Sequence, residues 1–154
     1  MKASDSAGDE HLSVAGEKSS GSTSALVKGP DFGEDLVYQS TAVNLYSQPT
    51  VPNLKWQAWS ELVFPRPDSR RYVLTINFAA NVEVNKRYDF AADTTLVSAV
   101  FMNLVGGIDA FWAKEGGITF TSLPPQVDAT FQFGGVSDAG GLVDVSDGVL
   151  SIKS

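Results

Sequence analysis

Two groups of side chains have the types and spacing to do chemistry. The first is a short arginine-rich loop, Pro65-Arg66-Pro67-Asp68-Ser69-Arg70-Arg71, to which Lys86 and Arg87 add charge if a hairpin brings them close. A guanidinium fork binds carboxylate, sulfate or phosphate through paired donors, so Arg66, Arg70 and Arg71 are candidate small-anion ligands. The second is aromatic: Trp56, Trp59, Phe111 and Trp112. Aromatic faces stack on the C–H patches of sugar rings or on peptide groups, while polar neighbours fix orientation. Neighbours along a strand face opposite sides, so Trp59 and one of Phe111 and Trp112 are the expected exposed members. Each group has a plainer reading as well. Loop arginines can be solvated charge, and residues as large as tryptophan can fill a core or a seam.

Catalysis has little to work with. Cysteine is absent, and the single histidine, His11, sits in a Ser/Gly-rich stretch with no second ligand or base nearby. Acid chemistry would need two carboxylates facing one another across a cleft. Glu61, Glu83, Asp89 and Glu115 are associated with strands, but nothing in the sequence pairs them. Asp138, Asp144 and Asp147 follow no established calcium-loop spacing, and turn chemistry accounts for them. There is no phosphate-cradling loop, no Gly-x-Ser-x-Gly elbow and no metal motif. The expectation is a protein that is not an enzyme, with no catalytic residue, metal or cofactor.

Charge narrows the partners. The 154 residues carry a formal net charge of −7. Residues 1–40 hold seven acids against three lysines, whereas residues 54–90 hold six bases against four acids. An acidic chain repels phosphate backbones, so nucleic acid is not an expected partner. No run approaches the ~18 apolar residues of a membrane-spanning helix, so membrane insertion is not expected. Met1-Lys2 is followed by Ser, Asp, Gly and Glu rather than an apolar core, so no signal peptide is expected in the sequence as it stands.

The elements that would position these side chains are strands. Residues 1–29 are rich in Ser, Gly, Ala and charge, with apolar residues too sparse to form a stripe, and read as a flexible tail; a short helix over 22–28 is the alternative. Gly29 to Asp35 is a turn-rich entry to a single domain over 30–154. Val37 to Ser47 reads as one strand with an irregular start, and Pro49 and Pro52 end it or confine it to a sheet edge. Leu54 to Phe64 fits both strand and helix spacing, and its two tryptophans favour strand. Tyr72 to Ala79 alternates cleanly. Val82 to Phe90 is broken at Asn85-Lys86-Arg87, and Thr95 to Leu104 is apolar on both faces. Ile108 to Trp112 reads as a short aromatic strand.

Between Gly116 and Gly135, Ile118 to Ser122 and Asp128 to Phe133 face each other across a Pro-Pro loop as a hairpin. Ile118, Phe120, Phe131 and Phe133 lie on its apolar faces. Ser146-Asp147-Gly148, between Leu142–Val145 and Val149–Ile152, reads as the turn of a last hairpin. About eight short strands with glycine, asparagine and proline turns point to an all-β antiparallel sandwich or partly open barrel.

The C-terminal half resembles a class of small all-β domains of unknown function in bacterial secreted proteins and lipoproteins. The matching pieces are Arg87-Tyr88-Asp89-Phe90, Gly117-Ile118-Thr119-Phe120-Thr121, Thr130-Phe131-Gln132-Phe133, and Val143-Asp144-Val145 with Gly148. The resemblance implies an extracytoplasmic β-sandwich behind a flexible tether, its lipidation cysteine removed, and brings no catalytic residue with it. The expected function is protein–protein binding or self-association through a sheet edge or an aromatic patch. The alternative is a small-ligand or glycan-binding module using Trp59, Phe111, Trp112 and the Arg66/Arg70/Arg71 loop.

Overall fold

A computed structural model describes residues 19–30, 35–48 and 54–154. The readings made for residues 1–18, with His11, for most of the Gly29–Asp35 turn, and for Pro49 and Pro52 lie outside the described residues. The rest is all-β and antiparallel. Ten strands follow in order: β1 (Ser20–Lys28), β2 (Leu36–Ser40), β3 (Ala42–Ser47), β4 (Trp56–Val63), β5 (Arg71–Phe78), β6 (Arg87–Asp89), β7 (Val97–Asn103), β8 (Asp109–Ser122), β9 (Gln126–Val136) and β10 (Leu142–Lys153). They form one sheet in the order β2-β1-β10-β9-β8-β7-β5-β4-β3, with β6 on β8 beside β7.

The two ends of that sheet are consecutive in the chain. β2 pairs with β1, β3 pairs with β4, and only Thr41 lies between β2 and β3. One continuous stretch therefore changes partners midway and nearly closes the sheet into a barrel. Side chains fasten the seam. Ser40 Oγ donates to the Glu61 carbonyl, the Leu45 amide donates to Ser19 Oγ at 3.0 Å, and Tyr38 and Ser60 hydroxyls meet at 2.8 Å. Near-closure of this kind leaves only the short edges of β2 and β3 in place of the long unpaired edges that open sheets must protect.

Alternation decides what the barrel contains. Tyr72, Leu74, Ile76 and Phe78 of β5 point inward with Val97, Ala99 and Phe101 of β7. Ile118 and Phe120 of β8 meet Phe131 and Phe133 of β9 there, as the hairpin reading expected. The rings interlock: Tyr72 stacks on Phe101 with centroids 5.7 Å apart, and Phe78 lies 4.7 Å from Phe120. An eight-stave barrel has an interior just wide enough for side chains to fill, and here aromatics fill it.

Five readings of the sequence are corrected. Residues 20–28 are not the end of a tail: β1 is an interior stave between β2 and β10. Its apolar content is low because only Ala25 and Val27, with Thr23, face the core. The expected single strand over 37–47 is two strands that serve opposite ends of the sheet. The expected short strand at 108–112 and the next at 118–122 are one, since β8 runs through Gly116-Gly117 with an irregular register between Ala113 and Glu115. At Gly116, with φ of +97°, a side chain would collide with the Gln132 carbonyl, so glycine lets the long strand turn without breaking.

Asp147-Gly148 likewise makes no hairpin. β10 is continuous and carries one extra residue against each neighbour, between Val145 and Gly148 opposite β9 and between Ser146 and Val149 opposite β1. Asp147, with φ of +52°, is the extra residue of a β-bulge. Asp tolerates this left-handed conformation better than most residues. The Phe131 ring packs where a side chain on Gly148 would stand. The segment 82–84 is irregular, and of the stretch 82–90 only residues 87–89 pair as a strand. The stretch 54–64 resolves as strand, because Ala58 and Ser60 alternate inward against outward Gln57, Trp59 and Glu61.

Candidate functional site

The strand register settles where the aromatic candidates stand. Phe111 opposes Phe101 and is fully buried, so it fills the barrel and is removed from any contact surface. Its neighbour Trp112 faces out and is 46 % exposed. Trp59 faces out too, half-buried, with Tyr46 edge-on at 6.5 Å. Trp56 packs against the core from one side. The expectation that adjacent Phe111 and Trp112 would split between inside and outside therefore holds, with Trp112 as the outer member.

Trp59 and Trp112 also belong to one row. Following the pairing across the sheet, Trp59 opposes Thr75, Thr75 opposes Val100, Val100 opposes Trp112, Trp112 opposes Val136, and Val136 opposes Leu142. Cross-strand neighbours on one face touch, so this is a continuous belt over six strands of the outer surface. Thr75 and Val100 are buried at 3 % and 4 %, though they face away from the interior. They are small residues flanked by two indoles. Beyond Trp112 the belt opens to solvent, with Leu142 at 56 % exposure, and in the β7–β8 connection Val105 and Ile108 are exposed as well. Above the tryptophan row, Gln57 donates to Asn77 Oδ1 at 3.0 Å, and the Asn77 amide donates to Ser98 at 3.2 Å. This polar ladder borders the belt on one side.

The basic loop is less available than its composition suggests. Arg70 makes a two-pronged pair with Asp68, at 2.6 and 2.8 Å, and its guanidinium lies 4.2 Å from the centre of the Phe64 ring. Asp68 is held below the ordinary carboxylate range, first by that hydrogen bond. Arg71 pairs with Glu61 across the β4–β5 hairpin. Arg66 takes part in no ion pair among the described residues. Two of the three forks thus already hold carboxylates of their own chain. Lys86 does not join the loop; its ammonium lies over the Tyr88 ring at 5.4 Å.

A second feature was not legible in the sequence. The outer face of β8, β9 and β10 carries two adjoining surface troughs that share Asp144. One, of about 580 Å³, is lined by Lys28, Lys114, Glu115 and Leu142 among others. The other, of about 570 Å³, is lined by Arg87, Thr119, Thr130, Gln132, Asp144 and Asp147 among others. Glycines that bend the long strands also leave the hollows. The Arg87 guanidinium lies over Gly117, and the Glu115 carboxylate lies over Gly134. Sequence spacing reveals neither trough, because the residues come from four strands that meet only through the register.

Among the described residues, no group of three or more His, Cys, Asp or Glu is placed to hold a metal ion, and no helix is long and apolar enough to cross a membrane. In comparisons with known proteins, no family model matches the chain, and neither a curated protein nor a solved structure is similar to it.

Proposed function

We propose that this barrel is a non-catalytic binding module that works by contact with other protein, a partner or a second copy of itself, through the outer surface around Trp112. The observation that carries this reading is the exposed end of the belt, where Trp112, Val136 and Leu142 stand side by side on three adjacent strands. Exposed tryptophan beside aliphatic residues is the composition of an interface hot spot, and a polar surround is its usual rim. Lys114 and Glu115 on β8, with Asp144 on β10, supply that surround in both signs. The near-closure of the sheet favours a face over an edge as the contact. Exposure outside the cytoplasm is part of the proposal and rests on the resemblance of the C-terminal half.

The test is to replace Trp112 and Leu142 by alanine, together, in the full chain. Retained thermal stability with loss of the protein contact supports the reading. Loss of the fold alone is controlled by Val84→Ala, an exposed residue close to where the Asn85 amide bonds the Phe120 carbonyl, toward the far end of β8. The small-ligand alternative built on Trp59, Phe111, Trp112 and the arginine loop loses Phe111 to the core and two forks to internal ion pairs.

A further inference from the structure

The trough lined by Arg87, Asp144 and Asp147 holds charges of opposite sign that do not pair. The ion pairs among the described residues are Lys28–Asp35, Arg70–Asp68 and Arg71–Glu61, and none of these three residues takes part in one. All three are exposed and face one hollow. The backbone holds them apart: Arg87 is fixed on β6 over Gly117, and Asp147 is fixed at the bulge of β10. Between them stand Thr119, Thr130, Gln132 and Ser146, each offering donors and acceptors, while Val149 and Phe131 add an apolar margin.

We propose that this trough binds a neutral saccharide. A volume of about 570 Å³ lies within the range of small-ligand sites. Charges of both signs facing one ligand disfavour a simple anion and a simple cation alike. They suit a neutral molecule whose hydroxyls both donate and accept. A vicinal diol can accept from the two prongs of Arg87 and donate to the Asp144 and Asp147 carboxylates, each a charge-assisted hydrogen bond. The Thr and Gln side chains complete the polar wall, and Val149 meets a C–H edge of the ring. The site adjoins the Trp112 surface and shares Asp144 with it, whereas Arg87 and Asp147 line this trough alone, so variants at those two positions test the saccharide separately from the protein contact.

The experiment is a titration of the isotopically labelled full chain with methyl glucoside, N-acetylglucosamine and cellobiose, followed by amide chemical shifts. The expected result is a saturable shift confined to the amides of residues 117–119, 130–132 and 144–149 with at least one of these sugars. Because the ligand is uncharged, the affinity should hold when salt rises from about 0.05 to 0.5 M, where screening becomes severe. Arg87→Gln and Asp147→Asn should each weaken it about tenfold or more. Both positions are exposed, and Asn tolerates the left-handed backbone at 147, so the fold should persist. Trp112→Ala should leave the titration unchanged. Absence of a saturable shift with all three sugars, shifts scattered over the surface, or binding only by a zwitterion such as glycine at low salt would overturn the proposal.

Discussion

Tyr38 on β2 and Ser60 on β4 share a 2.8 Å hydrogen bond across the seam where the barrel closes. The two residues are not neighbours in the strand order, yet the hydroxyls meet inside the barrel, where Tyr38 is fully buried. The Ser60 hydroxyl donates its one proton to the Leu74 carbonyl at 3.3 Å, which leaves the Tyr38 hydroxyl to donate to Ser60. Burial pushes the Tyr38 phenol well above the ordinary tyrosine range. Tyr38→Phe should therefore keep the fold while lowering unfolding free energy by about 1 kcal/mol, the usual worth of one buried neutral hydrogen bond. Urea unfolding with an unchanged m-value checks this. A stabilised variant would mean that the seam does not depend on the hydroxyl.

At the bulge of β10, two adjacent residues should respond in opposite ways. Asp147 has φ of +52°, which glycine adopts without cost, so Asp147→Gly should be close to neutral. Asp147→Val places a β-branched residue there and should cost about 1–2 kcal/mol. Gly148→Ala drives a methyl into the Phe131 ring and should destabilise by about 1–3 kcal/mol through overpacking. Thermal unfolding of the three variants gives the comparison. If Gly148→Ala were silent, the Phe131 ring would not pack over the strand as described.

That bulge also shows where sequence reading stops. Asp-Gly between apolar runs signals a positive-φ residue, and a positive-φ residue is present. Whether the chain then reverses or goes on depends on its neighbours, and β1 and β9 hold β10 straight on both sides. The same reason hid β1, since a strand showing few apolar residues to the core reads as a tail until its partners are known. Ile118, Phe120, Phe131 and Phe133 were legible because both strands of that hairpin alternate strictly. Of the site, alternation implied that one of Phe111 and Trp112 faces out, and the register with β7 decided for Trp112. The belt joining it to Trp59 and the charge-lined troughs needed the register of the whole sheet.

Asp128 sits at the start of the β9 side of the Pro124-Pro125 turn and accepts from Ser122 at 2.5 Å and from Gln126 at 3.1 Å. The Ser122 hydrogen bond, followed by one from Ser151, holds its carboxyl below the usual aspartate range. A depressed carboxylate contributes stability that is present above its unfolded pKa of about 3.9 and is lost as pH falls through the lower folded value. Asp128→Asn should therefore lower stability at neutral pH and flatten the acid limb below about pH 4, where the variant and the wild type converge. Melting temperatures between pH 2 and 7 measure it (roughly the span over which such a group titrates). An acid limb identical to wild type would contradict the assignment.

The tryptophans should report their different burial. Trp112 is the more exposed, whereas Trp59 is flanked by Tyr46 and packed in the row. Iodide quenching should fall when Trp112 is replaced by phenylalanine and should change little in Trp56→Phe. A large drop in the Trp56 variant instead would place the exposed indole elsewhere.

The central claim is that the surface around Trp112 makes a protein contact. The most direct measurement is site-specific photo-crosslinking in cells that produce the protein, with the probe at position 142 and, as control, at position 84; both native residues, Leu142 and Val84, are exposed. The account predicts a discrete protein adduct from position 142, with a second copy or another chain, that disappears when Trp112 is also changed to alanine, and none from position 84. No adduct at 142, or one that forms equally from 84 and ignores Trp112, would contradict it.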